Sequence, residues 1–172
     1  MKRIFFCSLF VFLIACQQNT SNNILYSSKF DDIKYFGEDS FLLEGTDIAD
    51  SLKENKYDRL PASYKGFVRE PVWNLSKNSA GLSIRFLSNS SVITAKWELL
   101  NNFSMNHMPD TGTKGIDLYF KNNDKWQYIN TGIPKGFNNE YRLIDNMDNE
   151  LREYKIFLPL YDGIKNIEIG VD

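Results

Sequence analysis

From about residue 24 onward the chain alternates apolar and polar positions one by one. In Leu82-Ser83-Ile84-Arg85-Phe86 every second side chain is apolar, which puts Leu82, Ile84 and Phe86 on one face of a strand. A polar run, Ser88-Asn89-Ser90-Ser91, follows. The segment Val92 to Leu99 then repeats the pattern, with Ile93, Ala95, Trp97 and Leu99 on one face and Thr94, Lys96 and Glu98 on the other. These two segments read as a hairpin whose second strand is half solvated. A third strand is predicted over Gly115 to Phe120, and Lys121-Asn122-Asn123-Asp124-Lys125 turns it into a return strand, Trp126 to Ile129. Tyr154 to Leu158 and Ile164 to Ile169, parted by a turn at Tyr161-Asp162-Gly163, complete the main set. Shorter candidates lie at Phe41 to Leu43 and Arg142 to Ile144, and Ile48 to Asn55 has room for one short helix. No segment sustains a helical period. The pattern predicts an all-β fold, a jelly roll or β-sandwich of antiparallel strands in a single domain.

The N-terminus follows different rules. Lys2 and Arg3 precede an apolar run from Ile4 to Ile14, broken only by Cys7 and Ser8. The run is shorter than the roughly 20 residues a membrane span requires, and it fits the core of a secretory signal. It ends in Leu13-Ile14-Ala15-Cys16, which resembles a bacterial lipobox, with Cys16 as the residue to be acylated. Residues 1–15 are therefore expected to be a lipoprotein signal peptide, 16–23 a flexible polar tether, and 24–172 the β-sandwich domain. The expected location is an exported, membrane-anchored lipoprotein, on the periplasmic face or the cell surface, held to the membrane through acylated Cys16. Cleavage before Cys16 leaves one cysteine, so neither a disulfide nor a Cys-based zinc site is expected.

Charge and composition narrow the function. The 20 basic and 22 acidic residues give a formal charge of −2, without any Lys/Arg run, so nucleic acid is not an expected partner. Asp31-Asp32, Asp47 with Asp50, and Asp145 with Asp148 lack EF-hand spacing and read as solvated turns. No metal and no cofactor are expected. Gly37-Glu38-Asp39-Ser40 superficially resembles a Gly-Asp-Ser nucleophile motif, but Glu38 intervenes and no buried strand precedes it, so it reads as a surface turn. His107 is the single histidine and so the single candidate for a general base near neutral pH.

An ordered series of motifs carries a resemblance. It runs Arg59-Leu60-Pro61-Ala62, Val68-Arg69-Glu70-Pro71-Val72-Trp73-Asn74-Leu75, Ser79-Ala80-Gly81-Leu82, His107-Met108-Pro109 and Thr111-Gly112. It continues through Gly115-Ile116-Asp117-Leu118-Tyr119, Leu158-Pro159-Leu160-Tyr161-Asp162-Gly163 and Glu168-Ile169-Gly170-Val171. The series resembles the N-terminal jelly-roll (GxDLY) domain of SGNH/GDSL-type hydrolases, and it covers roughly Phe41 to Asp172. The resemblance implies an accessory domain; the family's serine and Asp-x-x-His motifs have no counterpart here, so no catalytic residue is assigned and no enzyme is expected on this chain. Its implied partners are an SGNH catalytic domain or an acylated carbohydrate. A stand-alone carbohydrate-binding module and a truncated remnant of a hydrolase are the alternatives.

Candidate interface or ligand residues are Arg69, Glu70, Trp73, His107, Met108 and Trp126. Trp73 is expected exposed in a Pro-containing loop, and near His107 and Met108 on one accessible face. Trp97 reads as core, whereas Trp126, after a hairpin turn, fits core or surface. His107 fits a satisfied structural histidine or a contact to a second domain or ligand. The signature residues Gly115, Asp117, Leu118 and Tyr119 are read as structural, and a buried Asp117 would need a partner such as Arg69 or Arg85. Replacing Cys16→Ser is expected to abolish acyl labelling and detergent-phase partitioning; acyl chains retained by that variant would remove the lipoprotein assignment.

Overall fold

The computed structural model describes residues 32–172. The expected signal peptide and tether, with Cys16, lie outside the described residues, as does Asp31. Nine strands form two antiparallel sheets among the described residues. In chain order they are β1 (Lys34–Phe36), β2 (Leu42–Glu44), β3 (Ser83–Ser88), β4 (Ile93–Leu99), β5 (Ile116–Asn122), β6 (Lys125–Gly132), β7 (Asn138–Ile144), β8 (Arg152–Phe157) and β9 (Ile164–Val171). Sheet A has the order β1-β9-β4-β7 and sheet B the order β2-β3-β8-β5-β6. The fold is the expected all-β sandwich, and the chain passes repeatedly from one sheet to the other, as in a jelly roll.

Alternation dictates which side chains enter. Ile84 from β3, Ile93, Ala95 and Trp97 from β4, Ile116 and Leu118 from β5, and Tyr154 and Ile156 from β8 fill the space between the sheets. Burial of apolar side chains from both inner faces supplies the main stabilisation, about 1.5–3 kcal/mol for each fully buried large residue.

Three expectations are corrected. First, β3 and β4 do not pair: β3 lies in sheet B and β4 in sheet A. The serine run between them is a crossover, not a hairpin turn. The Ser90 hydroxyl, the Ser91 backbone N–H and the Ser91 hydroxyl all donate to the Asp172 carboxylate, which clamps the crossover to the end of β9. Those serine hydroxyls hold the Asp172 carboxyl down at about 2. Second, residues 70–76 form a helix, α1 (Glu70–Ser76), where a loop was expected. Pro71 falls in its first turn, where its missing N–H costs nothing, and the Arg59 guanidinium donates to the Leu75 carbonyl at its end at 2.5 Å. Third, a short second helix, α2 (Asp110–Lys114), follows Pro109. The β5–β6 hairpin is as expected, with Asn123 and Asp124 both at positive φ in its turn, residue types that tolerate that region.

The sheet-to-sheet passage between β8 and β9 is the most heavily tied corner. Asp162 is fully buried. Its carboxylate accepts from the backbone N–H of Asn101 at 2.9 Å, of Asn102 at 2.7 Å and of Gly163 at 2.8 Å. The Asp162 carbonyl accepts from the N–H of Ser79 at 2.9 Å, just past α1. A Cβ at Gly163 would overlap the Lys77 carbonyl oxygen. Removing the carboxylate strands several buried donors, each costing about 1–3 kcal/mol. Asp162→Ala is accordingly expected to cost roughly 3 kcal/mol or more, a melting temperature lower by about 6–12 °C in scanning calorimetry. Gly163→Ala should act in the same direction. A wild-type melting curve for Asp162→Ala would show that this corner is not a structural anchor.

Candidate functional site

The strand pleat that sends Ile116, Leu118 and Phe120 inward sends Asp117, Tyr119 and Lys121 to the outer face of sheet B. On β8 the outward residues are Glu153, Lys155 and Phe157, with Lys155 opposite Tyr119 and Phe157 opposite Asp117. On β6 a register shift opposite Leu118 and Tyr119 changes which side chains emerge. Tyr119 faces Tyr128, and Asp117 faces Thr131. Residues three apart share one face only because the extra residue of a β-bulge lies between them.

The result is an aromatic row. The Tyr119 ring meets Tyr128 edge-on at a centroid distance of 5.6 Å and Phe157 edge-on at 5.3 Å. Trp126 closes the row beside Lys121, its ring covered by the Lys155 ammonium 4.5 Å from the centroid. Tyr128 is 55% exposed and Phe157 38%, so the row faces solvent. A hydrogen-bonded chain runs along its flank: the Tyr128 hydroxyl lies 2.9 Å from the Thr131 hydroxyl, which donates to Asp117 at 2.5 Å. Asp117 is half-buried and its partner is Thr131, not an arginine.

Beside the row lies a lattice of charges. Arg85 pairs with Glu44 at 2.8 Å and Glu153 at 2.7 Å, Lys121 pairs with Glu153 at 3.4 Å, and Lys155 with Glu44 at 2.9 Å. The Arg85 guanidinium, and after it Lys121, holds the Glu153 carboxyl below the usual carboxylate range. Lys121 also lies 3.5 Å from Asp124 in the β5–β6 turn, so each of the three cations is paired with a carboxylate.

The remaining sequence-derived candidates fall elsewhere. Trp73 is not exposed in a loop but 8% exposed on α1, with the Lys77 ammonium 4.1 Å from its ring centroid. Lys77 is fixed in turn by Asp58 at 2.6 Å and Glu54 at 2.8 Å. Arg69 stands at the N-cap of α1, with Glu70 first in the helix, and both are exposed. His107 is exposed at the tip of a turn closed by a bridge between Met105 and Met108, with Nδ1 3.0 Å from Asn106 Oδ1. Met108 is half-buried against Gly112. An accessible patch of Trp73, His107 and Met108 is therefore not formed, because the Trp73 ring is taken up by packing. Ser40, in the Gly-Asp-Ser look-alike, ends an exposed 3₁₀ turn. Trp97 is core. Of the Asp pairs, Asp50 is engaged by Lys53 at 2.9 Å and Asp148 by Arg152. Among the described residues no group of three or more His, Cys, Asp or Glu side chains could hold a metal ion.

Sequence reasoning singled out Trp126, Asp117 and Tyr119 but missed Tyr128, Phe157, Thr131 and Lys155. The strand pairing that joins them is not local, and the bulge hides the shared face of Tyr128 and Thr131.

An antiparallel jelly roll with this signature on its outer face defines a class, the N-terminal sandwich of SGNH hydrolase-type esterases. Residues 33–172 match the family model GxDLY, the N-terminus of SGNH hydrolase-type esterases, and the chain belongs to that family. A crystal structure from Bacteroides ovatus ATCC 8483, described as a GDSL-like lipase, matches with 38% identity and a TM-score of 0.76, covering 82% of this chain and 41% of that one. The salicylyl-acyltransferase SsfX3 of a tetracycline biosynthetic pathway shares the fold at 11% identity and a TM-score of 0.55, with 81% of this chain and 39% of that one covered. The chain thus spans about two fifths of the length of each. No curated protein matches significantly.

Tyr119 carries two ring contacts worth about 0.5–1.5 kcal/mol each, whereas Tyr128 is mostly in water. Urea titration is expected to find Tyr119→Ala destabilised by about 1–3 kcal/mol and Tyr128→Ala by less than about 1 kcal/mol. Equal losses would mean that Tyr119 does not organise the row.

Proposed function

We propose that this protein is a lipid-anchored, non-catalytic accessory domain of an SGNH-type carbohydrate esterase system, and that the outer face of sheet B holds the glycan. The observation that carries this reading is the aromatic row itself. The exposed Tyr128 and Phe157 rings, with half-buried Tyr119 and Trp126 beside them, give apolar surface for the C–H faces of sugar rings, and the Tyr128–Thr131–Asp117 chain supplies donors and acceptors for their hydroxyls. Because Arg85, Lys121 and Lys155 are already engaged by carboxylates, the face favours an uncharged polysaccharide, acylated or free, over a polyanion. The family relation supports the link to an esterase, since the matched region is the N-terminal domain and not the catalytic part. Acyl chains on Cys16 would hold the domain at the outer side of a membrane, on the periplasmic face or the cell surface, and raise its effective concentration at cell-bound glycan.

Affinity electrophoresis in gels containing neutral polysaccharide, native and chemically acetylated, tests the reading. Retardation of the wild type is expected, with Tyr128→Ala and Trp126→Ala each weakening it at least fivefold. Unretarded wild-type protein in every gel would remove glycan binding. The same preparation is expected to leave an aryl acetate unhydrolysed above background; turnover abolished by His107→Ala would replace the accessory reading with a catalytic one.

A further inference from the structure

The exposed apolar residues at the opposite edge of sheet B have no role in the glycan face. Where β1 and β2 border the gap between the two sheets, a groove of about 280 Å³ opens. Phe36, Phe41, Phe86, Leu87, Leu151 and Val171 line most of it, with Ser40, Ser88 and Asn89 at its side and no charged residue. Leu87 is 66% exposed and Leu151 68%, and Phe36 is exposed beside them. A second depression shares Phe41, Phe86 and Leu87, adds Leu42, and ends on Asp39, Arg85 and Glu153. An uncharged apolar centre with a charged rim is the anatomy of a protein interface, and monomers rarely leave such patches bare. The groove takes Phe86 and Leu87 from β3, whereas the aromatic row takes Phe157 from β8, Tyr119 from β5 and Tyr128 from β6, so the two lie toward opposite edges of sheet B.

Its position in the chain indicates the occupant. Ile169 and Val171, the last inward residues of β9, form one wall, and Asp172 follows. The family model is the N-terminal piece of an esterase, and the Bacteroides ovatus chain has more than half its length outside the matched region. A hydrolase part joined after such an N-terminal piece would leave from the end of β9, where Val171 lines this groove. We infer that the groove formed by Phe36, Phe41, Phe86, Leu87 and Leu151 is the docking surface for an SGNH hydrolase domain. This inference rests on the accessory reading above but uses the opposite edge of sheet B. An interface between domains of one chain buries roughly 600–1,500 Å², and the groove with its neighbouring depression offers a continuous apolar start for it.

Cysteine protection tests the docking. Both native cysteines are replaced by serine, and Leu87→Cys or Tyr128→Cys is introduced into the chain alone. The same variants are built into a chimera with the hydrolase part of the Bacteroides ovatus protein joined after Asp172 and selected for aryl acetate hydrolysis. Maleimide labelling at Leu87→Cys is expected to slow at least tenfold in the chimera, while Tyr128→Cys labels equally in both. Equal labelling at Leu87→Cys, or protection at Tyr128→Cys in its place, overturns the assignment. Protection of Leu87→Cys already in the chain alone gives the groove to residues 24–31, or to a second copy if it grows with concentration, and overturns it too. In the intact Bacteroides ovatus chain, a cysteine at the position aligned with Leu87 provides an independent reading and should be protected. Glycan retardation by the Leu87→Cys chain is expected to match wild type, so loss of glycan binding and loss of docking are read separately.

Discussion

The sandwich depends on one buried carboxylate. Asp162 sits where β8 of sheet B gives way to β9 of sheet A, and it has been taken wholly out of water. Burying a carboxylate is costly, and the cost is offset here by three backbone N–H groups and, at 3.3 Å, the Asn101 side-chain amide. Those donors come from the end of β4 and from Gly163, so satisfying the charge fixes β4 against the start of β9. The neighbouring Ser79 extends the tie to α1: its N–H donates to the Asp162 carbonyl, and its hydroxyl accepts from the Ile164 N–H at 3.1 Å. Asn102 relays the tie to α2 by accepting from the Lys114 ammonium at 2.8 Å, and Asp110 balances that buried cation at 3.3 Å. One side chain thereby sets the relation of the two sheets and both helices at this end.

With the sheets fixed, what remains outward is a consequence of strand pairing. Sheet B turns three kinds of surface outward: apolar Leu42 and Leu87 on β2 and β3, the paired charges of Glu44 on β2, Arg85 on β3 and Glu153 and Lys155 on β8, and the aromatic row carried by β8, β5 and β6. These charge pairs are partly open to water, which screens them and limits what each adds to stability. They have another effect: because each charge already has a partner, a neighbour on either side meets a neutral border. Two surfaces of different character can therefore share one sheet.

The all-β class and the inward faces of β3, β4, β5 and β8 were legible because the period of two is a local property of each strand. Pairing was not. The serine run after β3 has turn composition, and nothing local separates a turn that closes a hairpin from a crossover between sheets; the distant Asp172 decides it. The helix α1 was hidden for a related reason, since its seven residues are too few to establish a period and Pro71 reads as a loop marker. Trp73 was misplaced with it: on a helix its ring turns onto the body of the protein, beneath Lys77. The aromatic row was legible only in part, because Tyr128 and Thr131 reach one face through a bulge that has no sequence signature of its own.

The signature Gly115-Ile116-Asp117-Leu118-Tyr119 separates into two sets when each residue is asked what requires it. A Cβ at Gly115 would overlap the Thr111 carbonyl oxygen, so the end of α2 and the start of β5 can approach only through glycine. Leu118 is fully buried in the core. These two are demanded by folding. Asp117 and Tyr119 are not demanded by the core, since both point away from it and remain partly open to water. An aspartate whose carboxylate is held by a threonine hydroxyl, beside a tyrosine ring braced between two other rings, is a preorganised surface; its rotamers are fixed before any partner arrives. Ordering those side chains in advance lowers the entropy lost on binding, which is the physical reason to place such residues on a strand rather than on a loop.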